Sequence, residues 1–324
     1  MPRALLSCLH LQRNFGDFRH IYDEAGVEPV LPEVAGQQLA AEDMRQHIVG
    51  MDCVIAGDDE IDASVLEAGK ESGLKAVIKW GIGTDSIDKE TAKALGIPVF
   101  NTPGVFANEV ADLALSLFLN LTRGTHLMHN SIAEGGWRKI EGRSLTGLTA
   151  GVLGLGSIGL AIADRTRAFG MHPIGTDVRQ LSDAELGRHA IEQLPLSEVL
   201  ARADALFVAC NLTAENRHLV GREAFAKMRP GALVVNVARG PLIDEAALAD
   251  ALQSGHIGGA GLDVFEAEPL PAESPLRKFE NCVFSTHNGS NTREAVARIN
   301  QMTTEILLDV LGLAEATFRP NRVA

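Results

Sequence analysis

The stretch VLGLGSIGL, residues 152–160, carries three glycines in the pattern GxGxxG between a short apolar run and a helical segment. Gly154 allows a tight turn, Gly156 lets a phosphate approach the main chain, and Gly159 lets a helix pack closely on a strand. By itself the pattern is weak, because the chain contains 32 glycines. Its position between a strand and a helix predicts a dinucleotide-binding turn, with a glycine-rich turn that binds no cofactor as the alternative.

The helix that starts at this turn and the strand that follows it extend the prediction. The main-chain amides of Ser157 and Ile158 lie at the helix N-terminus, which favours an anion such as a pyrophosphate. The next predicted strand, HPIGTD, ends at Asp177, about 20 residues after the turn, where a carboxylate can bind ribose hydroxyls and repel a 2′-phosphate. We therefore expect NAD rather than NADP, although Arg179 could offset part of that repulsion.

Short apolar runs alternate with helical patterns along nearly the whole chain, in two series. The first series comprises ALLSCL, EPVL, DCVIA, KAVIK and IPVF, with helical stretches around 17–25, 41–48, 62–71 and 88–95. The second begins at TAGVLGLG and continues through HPIGTD, ALFVAC, ALVVNVA, GAGLDV and CVFSTH. This alternation predicts the α/β class, with two doubly wound parallel-sheet domains.

Composition excludes several classes of function. A formal net charge of −13 over 324 residues argues against an extended nucleic-acid interface. The chain has no apolar run of about 18 residues, so no membrane span is predicted. The four cysteines are far apart and form no CxxC pair, which favours buried reduced thiols over a disulfide framework or a metal site. We therefore expect a cytoplasmic protein without a structural metal.

The segment VFANEVADLALSLFLNLTRG, residues 105–124, is apolar nearly all round when it is drawn as a helix. Such a helix needs burial on several sides. An interdomain core helix and a subunit interface are both consistent with it, and one helix can serve as both.

Three charged or titratable residues follow successive predicted strands of the second series. Arg239 follows ALVVNVA, Glu268 lies in the segment after GAGLDV, and His287 ends CVFSTH. In an open parallel sheet, ligands bind beyond the carboxyl ends of the strands. A guanidinium suits a carboxylate ligand, and a histidine suits proton transfer near neutral pH. The spacing thus predicts that all three face one crevice beside the nucleotide turn.

The motifs GVLGLGSIG, NVARGPLIDEAAL, GAGLDVFEAEPLP and THNGSNTREA, with KWGIGTDSID earlier in the chain, resemble the D-isomer-specific 2-hydroxyacid dehydrogenases. The likeness runs from about residue 50 to the end, and is strongest to the phosphoglycerate-dehydrogenase-like branch without its C-terminal regulatory domain. It implies a Rossmann nucleotide domain, 102–289, inserted into a flavodoxin-like substrate domain, 1–101 plus 290–324. It also implies a homodimer.

The resemblance also implies roles for individual residues in hydride transfer between NAD(H) and a 2-hydroxy or 2-oxo acid. Arg239 would bind the substrate carboxylate, His287 would donate or accept the proton, and Glu268 would orient the ring and stabilise the imidazolium. Asp263 would face the nicotinamide carboxamide. The substrate would also contact the main chain of Gly81, Ile82 and Gly83. Further implied cofactor contacts are Cys210, Val237, Ala238, Arg239, His287 and Gly289.

The nature of the acid is less clear from the sequence. Relatives that act on phosphoglycerate place an arginine and a serine after the third strand, whereas this chain has Asp58, Asp59 and Glu60. Carboxylates beside a phosphate would repel it, unless they point to solvent ahead of the next helix. His10, Arg13 or Lys79 could instead read the distal part of an anionic substrate, and the alternative is that His10 and Arg13 are ordinary loop residues.

Two further points stay open. Asn288 has no assigned role, and Asn291 is expected to cap the final helix. A different class of function is a nucleotide-sensing protein without turnover, similar to the transcriptional corepressors of the same family. Formate-type chemistry is disfavoured because those relatives carry glutamine where this chain has Glu268.

Overall fold

The apolar runs of the sequence form two parallel sheets in the computed structural model, which describes residues 1–324. The strands are β1 (Arg3–Leu6), β2 (Glu28–Val30), β3 (Cys53–Ala56), β4 (Ala76–Lys79), β5 (Val99–Asn101), β6 (Thr149–Leu153), β7 (His172–Thr176), β8 (Glu192–Gln193), β9 (Ala205–Val208), β10 (Ala232–Asn236), β11 (Ile257–Leu262), β12 (Cys282–Phe284) and β13 (Asn321–Arg322). The helices are α1 (Leu9–Arg13), α2 (Phe15–Ala25), α3 (Ala41–His47), α4 (Ala63–Ser72), α5 (Lys89–Leu95), α6 (Ala107–Arg123), α7 (Thr125–Ala133), α8 (Ser157–Ala168), α9 (Asp183–His189), α10 (Leu196–Arg202), α11 (Arg222–Lys227), α12 (Glu245–Gln253) and α13 (Arg293–Val310).

The chain divides into two compact units. We call Met1–Val105 with Asn291–Ala324 the terminal domain, and Phe106–Ser290 the central domain. The strands β3, β4 and β9 are buried at every position, as expected for parallel strands covered by helices on both faces. Continuous burial explains why these strands are apolar at successive positions rather than at alternate ones, apart from Lys79 at the end of β4.

The two sheets have different strand orders. The terminal domain has the order β13-β5-β4-β3-β1-β2, which is parallel except for β13 and flavodoxin-like in its first five strands. The central domain has the order β12-β11-β10-β9-β6-β7-β8, parallel throughout, which is the Rossmann order with one added strand. The predicted class and both doubly wound sheets are confirmed. In the central sheet the strand order reverses between β6 and β9.

The structure corrects three local predictions: the end of the first strand, the position of His10 and the cap of the final helix. The first strand, predicted as ALLSCL, ends at Leu6, and α1 follows, with the side chain of Gln12 donating to the carbonyl of Leu6 at 2.7 Å. His10 therefore lies on a helix rather than on a loop. The final helix is capped by Thr292, whose hydroxyl accepts from the amide of Ala295 at 3.1 Å, and not by Asn291.

The apolar helix α6 is buried within the central domain. It packs against α8 and against the strands β10, β11 and β12. The ring of Phe118 meets that of Phe207 edge-on at 5.3 Å, and a Cβ at Gly261 would lie 2.9 Å from the Cβ of Leu117. Contacts inside one domain thus explain most of the apolar surface of this helix. None of the helices combines the length and apolar character needed to cross a membrane.

Candidate active site and nucleotide site

The glycine turn after β6 has the shape that its pattern predicts. Gly154 has a φ of 96°, and a Cβ there would lie 2.6 Å from the main chain of Cys210. A Cβ at Gly159 would lie 1.9 Å from the carbonyl oxygen of Gly154, so only glycine allows α8 to approach β6 so closely. A Cβ at Gly156 would meet nothing within 4 Å. The turn therefore leaves open space in front of the helix.

The N-terminus of α8 faces that space. Its N-cap residue is Gly156, which offers no side-chain cap, and the helix begins at Ser157. Cys210 follows β9, on the other side of the point where the strand order reverses. Burial raises the pKa of its thiol to about 11, so the side chain is a neutral thiol at physiological pH. The open space, the main-chain amides of α8 and the uncharged Cys210 side chain together suit the binding of a dinucleotide pyrophosphate.

Asp177 lies just past the end of β7, as predicted. Its carboxylate accepts the amide of Leu155 at 2.6 Å and the amide of Arg179 at 2.8 Å. The first of these bonds ties the acidic residue to the glycine turn itself. Each oxygen retains a second lone pair, which can accept a hydrogen bond from a ribose hydroxyl.

His287 and Glu268 are brought together as the sequence predicts. Nδ1 of His287 lies 2.8 Å from Oε2 of Glu268, while Oε1 accepts the amide of Phe265 at 2.9 Å. The two side chains are 23% and 16% exposed, so the pair is sheltered without being sealed from solvent. One ring nitrogen is engaged by the carboxylate, and the other, Nε2, is the atom that can exchange a proton with a ligand.

The segment that carries His287 has an unusual conformation. His287 has a φ of 51°, a left-handed value that is uncommon for residues other than glycine. Its amide donates to the carbonyl of Asp263 at 2.7 Å. The Asp263 carboxylate accepts the amides of Asn288 at 2.8 Å and Gly289 at 3.0 Å. Strain at a histidine is tolerated because three main-chain bonds to one residue fix the loop.

These bonds give Asp263 a role that the sequence did not predict. The side chain is 2% exposed, and both oxygens hold the main chain of residues 288–289. The expected contact with the nicotinamide carboxamide stays a prediction. Asn288, for which the sequence suggested no role, contributes its main-chain amide to this arrangement.

Arg239 follows β10 and is held by a residue that sequence reasoning missed. Asn236 is 1% exposed, donates to the carbonyl of Arg239 at 2.9 Å and accepts the amide of Ala238 at 3.0 Å. The guanidinium of Arg239 also donates to the carbonyl of Ala238 at 2.9 Å. β10, β11 and β12 are adjacent, so the segments after them share one edge of the sheet. An asparagine at the carboxyl end of a buried strand was the available signal.

A second set of carboxylates supports the turn that carries Glu268. The amide of Glu245 donates to Oε1 of Glu266 at 2.9 Å, and the amide of Glu266 donates to Oε1 of Glu245 at 2.7 Å. His218 lies 3.0 Å from the other oxygen of Glu266. Burial, and then the charges of Glu266 and Glu268, raise the pKa of Glu245, although the amide of Glu266 lowers it.

The terminal domain contains the remaining candidates. Lys79 ends β4 with a side chain that is only 3% exposed, and its ammonium lies 2.7 Å from the Asp58 carboxylate and also binds the carbonyl of Gly57. Asp59 is 1% exposed and accepts from the Ser7 hydroxyl at 2.6 Å and from the amides of Leu39 and Gly57 at 2.8 and 2.9 Å. Neither acid is an uncompensated charge.

The segment after β4 is also tied down internally. Gly81 has a φ of 138°, its amide donates to the carbonyl of Lys79 at 3.0 Å, and its carbonyl accepts the amide of Thr102 at 3.0 Å. The carbonyl of Ile82 accepts from the side chain of Asn101 at 2.7 Å. These bonds orient the Gly81–Gly83 main chain, whose contact with substrate stays a prediction.

His10 is the candidate that lies beside this segment. Its ring stacks on the Trp80 indole with centroids 5.0 Å apart, and the indole NH donates to Asn300 at 2.7 Å. Arg13, one helical turn further on, is exposed. Of the three residues predicted to read the distal part of the substrate, Lys79 is already paired and His10 adjoins the glycine segment.

Comparison with known proteins agrees with this geometry. Residues 115–289 match the family model of the D-isomer specific 2-hydroxyacid dehydrogenase NAD binding domain, and they lie within the central domain. The chain belongs to the D-isomer specific 2-hydroxyacid dehydrogenases. It is an NAD-dependent oxidoreductase that transfers a hydride between the cofactor and a 2-hydroxy or 2-oxo acid.

Relatives of this dehydrogenase act on different acids. It is 37% identical over 287 residues to a hydroxypyruvate reductase of Thermotoga maritima, which covers 87% of this chain and 92% of the relative. It is 41% identical over 265 residues to a D-3-phosphoglycerate dehydrogenase of Mycobacterium tuberculosis, covering 81% of this chain and 49% of that protein. The apo-structure of D-lactate dehydrogenase from Escherichia coli superposes with a TM-score of 0.83 at 28% identity over the full length of both chains.

The contacts of Asp58 and Asp59 bear on phosphorylated substrates. The prediction against them assumed carboxylates that repel a phosphate or point to solvent. In the dehydrogenase, Asp58 pairs with Lys79, and Asp59 is buried among three hydrogen-bond donors. Of the three acids only Glu60 is exposed. The repulsion argument is therefore weaker than the sequence suggested.

Proposed function

We propose that His287 is the proton donor when this dehydrogenase reduces a 2-oxo acid, and the proton acceptor in the reverse direction. The observation that carries this proposal is the 2.8 Å contact between Nδ1 of His287 and Glu268. A carboxylate on Nδ1 favours the tautomer with a proton there and stabilises the imidazolium. Nε2 of the imidazolium then donates its proton to the substrate carbonyl oxygen, so that His287 acts as the general acid.

Arg239 binds the substrate carboxylate in this proposal. A guanidinium offers two parallel donors that match a carboxylate, and a positive charge there also polarises the adjacent carbonyl. Asn236 fixes the main chain of Arg239, so the fork is presented from a rigid support. The main-chain amides of the Gly81–Gly83 segment are further proposed substrate contacts.

The central domain would hold NAD through the residues that surround the glycine turn. NADH, when bound, supplies the hydride that the carbonyl carbon accepts. Asp177 binds the adenosine ribose hydroxyls, and the amides of Ser157 and Ile158 bind the pyrophosphate. The other residues proposed to contact the cofactor are Gly154, Gly156, Gly159, Cys210, Val237, Ala238, Arg239, Asp263, His287 and Gly289.

The proposed substrates are small 2-oxo acids, with glyoxylate and hydroxypyruvate as the first to test. A hydroxypyruvate reductase matches this chain over 92% of its own length, whereas the phosphoglycerate dehydrogenase matches over 49% of its length. His10, stacked on Trp80, is the residue that we propose reads the distal part of the substrate.

We further propose a homodimer in the cytoplasm. No residue of α7 is buried, and two large apolar side chains, Ile132 of α7 and Trp137 just after it, are 58% and 80% exposed, which supports a subunit contact there. Four free thiols, three of them buried, suit a reducing compartment. Light scattering of the protein and of Trp137→Ser tests the dimer: a wild-type mass of one chain would contradict it.

The test of the catalytic proposal is His287→Ala. We expect turnover of glyoxylate and hydroxypyruvate to fall by about 10²-fold or more, while NADH still binds, as measured by protein-to-nicotinamide fluorescence transfer. Retained turnover would refute the role of His287. If the wild type binds NADH and turns over none of a panel of 2-oxo acids, the alternative, a nucleotide sensor, gains support instead.

A further inference from the structure

Arg179 sits beside the proposed adenosine ribose site, where an arginine would normally attract the 2′-phosphate of NADP. The main-chain amide of Arg179 donates to the Asp177 carboxylate, and so does the main-chain amide of Leu155. One guanidinium nitrogen of Arg179 lies 3.5 Å from the carbonyl oxygen of Leu155. The guanidinium and the carboxylate therefore flank the same residue of the glycine turn. A 2′-phosphate placed there would meet one repelling and one attracting group.

The guanidinium is already occupied by Glu185. Its NH1 lies 2.8 Å from Oε1 of Glu185, and this contact raises the pKa of Arg179. The guanidinium, followed by donors from Ser182, lowers the pKa of Glu185 to about 2. Glu185 therefore remains a full negative charge throughout the physiological range.

The position of Glu185 is set by the helix that carries it. It is the third residue of α9 and completes a capping box, in which Oε2 accepts the Ser182 amide at 3.0 Å and its hydroxyl at 2.7 Å. One oxygen is thus anchored to the cap while the other faces Arg179. An exposed ion pair is usually weak because both side chains must be ordered, but here the acidic partner is ordered by the helix cap.

The main chain on the other side of the pair is equally constrained. The side-chain amide nitrogen of Gln193, on β8, donates to the carbonyl of Arg179 at 2.8 Å, and the side-chain oxygen of Gln193 accepts the main-chain amide of Leu181 at 3.0 Å. The loop after β7 therefore cannot move freely to carry Arg179 away. The guanidinium itself has two contacts, a short one from NH1 to Glu185 at 2.8 Å and a long one from NH2 to the Leu155 carbonyl at 3.5 Å, so Glu185 is its stronger partner.

We infer that Glu185 is a cofactor-specificity residue, which holds Arg179 away from a 2′-phosphate and so reinforces the preference of Asp177 for NAD over NADP. The inference rests on the proposed placement of the ribose at Asp177. NADP would have to compete with Glu185 for the guanidinium while it is repelled by two carboxylates. Release of Arg179 should lower this barrier, since a phosphate dianion is a strong partner for arginine.

The test measures the dissociation constants of NADH and NADPH by fluorescence titration without substrate. Glu185→Gln keeps an oxygen for the capping box and removes the charge, and we expect it to bind NADPH about 5- to 10-fold more tightly, with NADH changed less than about twofold. Glu192→Gln is the matched control, because it removes one charge from another exposed ion pair of the same domain, with Arg202 at 2.9 Å. It should leave both constants unchanged.

Two further variants separate the inference from the proposal beneath it. Arg179→Ala combined with Glu185→Gln should lose the gain in NADPH affinity, and a gain that persists would overturn the role of the guanidinium. Asp177→Asn should weaken NADH binding, and an unchanged value would overturn the placement of the ribose itself. If Asp177→Asn behaves as expected and Glu185→Gln leaves NADPH binding unchanged, the inference about Glu185 is wrong and the nucleotide site stands.

Discussion

The carboxylate of Glu268 joins His287 to the main chain of its own turn: Oε2 lies 2.8 Å from Nδ1 of the ring, and Oε1 accepts the Phe265 amide at 2.9 Å. Because both oxygens are used, the turn sets the direction of the carboxylate, and the carboxylate sets the orientation of the imidazole. The ring is thereby held before any substrate binds, which is the kind of preorganisation that proton transfer requires.

Glu268→Gln should lower kcat by about 10²- to 10⁴-fold with little change in NADH affinity. The Phe265 amide and the His287 ring contact different oxygens of Glu268, and a glutamine places an NH2 group at one of those two positions. Its neutral amide also no longer stabilises the imidazolium. Steady-state kinetics with glyoxylate and NADH measures the effect. Glu280→Gln, which removes a carboxylate from an exposed pair with Arg138, is the control. Wild-type kcat in Glu268→Gln would contradict the pairing.

Asn236→Ala should raise the KM for the 2-oxo acid more than it lowers kcat. The substitution leaves the Ala238 amide and the Arg239 carbonyl without their buried partner, which costs about 1–3 kcal/mol of folding stability and loosens the support of Arg239. Thermal unfolding and kinetics measure the two effects. Asn281→Ala lies directly before β12, at the amino ends of the parallel strands and not at the carboxyl ends that carry Arg239, and it should leave KM unchanged. An unaltered KM in Asn236→Ala would contradict the prediction that Asn236 positions Arg239 for substrate binding.

Gly289→Ala tests the support of the His287 loop. A Cβ at this position would lie 3.1 Å from Oδ2 of Asp263 and 3.2 Å from Val110, so the loop must shift by a few tenths of an ångström. We expect kcat to fall by roughly 10-fold or more, because small displacements of a positioned acid are costly. Gly187→Ala, in α9 with nothing within 4 Å of the added methyl, is the control and should be fully active. Full activity of Gly289→Ala would show that the loop tolerates the shift.

Asp204 provides a prediction on stability against pH. Burial would raise the pKa of this carboxyl, but the Thr149 amide at 2.9 Å and Arg143 at 2.8 Å, together with Arg229, hold the pKa below its ordinary value of 3.8. A carboxyl whose pKa is depressed by folding stabilises the protein above its unfolded pKa and loses that contribution as the pH falls through the folded one. Asp204→Asn should therefore lower the free energy of unfolding by about 1–3 kcal/mol at pH 7, a range that allows for solvent screening of the half-exposed arginines.

The same variant should differ less from wild type once the pH falls below 3.8 and through the lowered pKa of Asp204, which thermal unfolding at pH 7, 5, 3.5 and 2.5 measures. Asp250→Asn removes an exposed pair with Arg222 and should have a small effect at every pH. A loss in Asp204→Asn that is independent of pH would assign the effect to packing rather than to charge.

Local pattern was enough to predict much of this protein. The four helices expected in the first hundred residues occur at α2, α3, α4 and α5, and each predicted strand of both series is present. Those predictions succeed because burial on both faces makes a parallel strand apolar throughout, which is legible in a single stretch. The two-residue strands β8 and β13 were missed, since such short polar edges carry no periodicity.

The sequence by itself determined the class of fold, the nucleotide turn, and the order in which Arg239, Glu268 and His287 follow their strands, because each depends on residues close together in the chain. Only the tertiary structure decided which charges compensate one another: Lys79 with Asp58, and Asp263 with the amides of residues 288–289. Those partners lie 21 or more residues apart. A contact of that kind is set by strand order and helix packing, and the energy of a charge depends on what surrounds it, so neither can be read from composition or spacing alone.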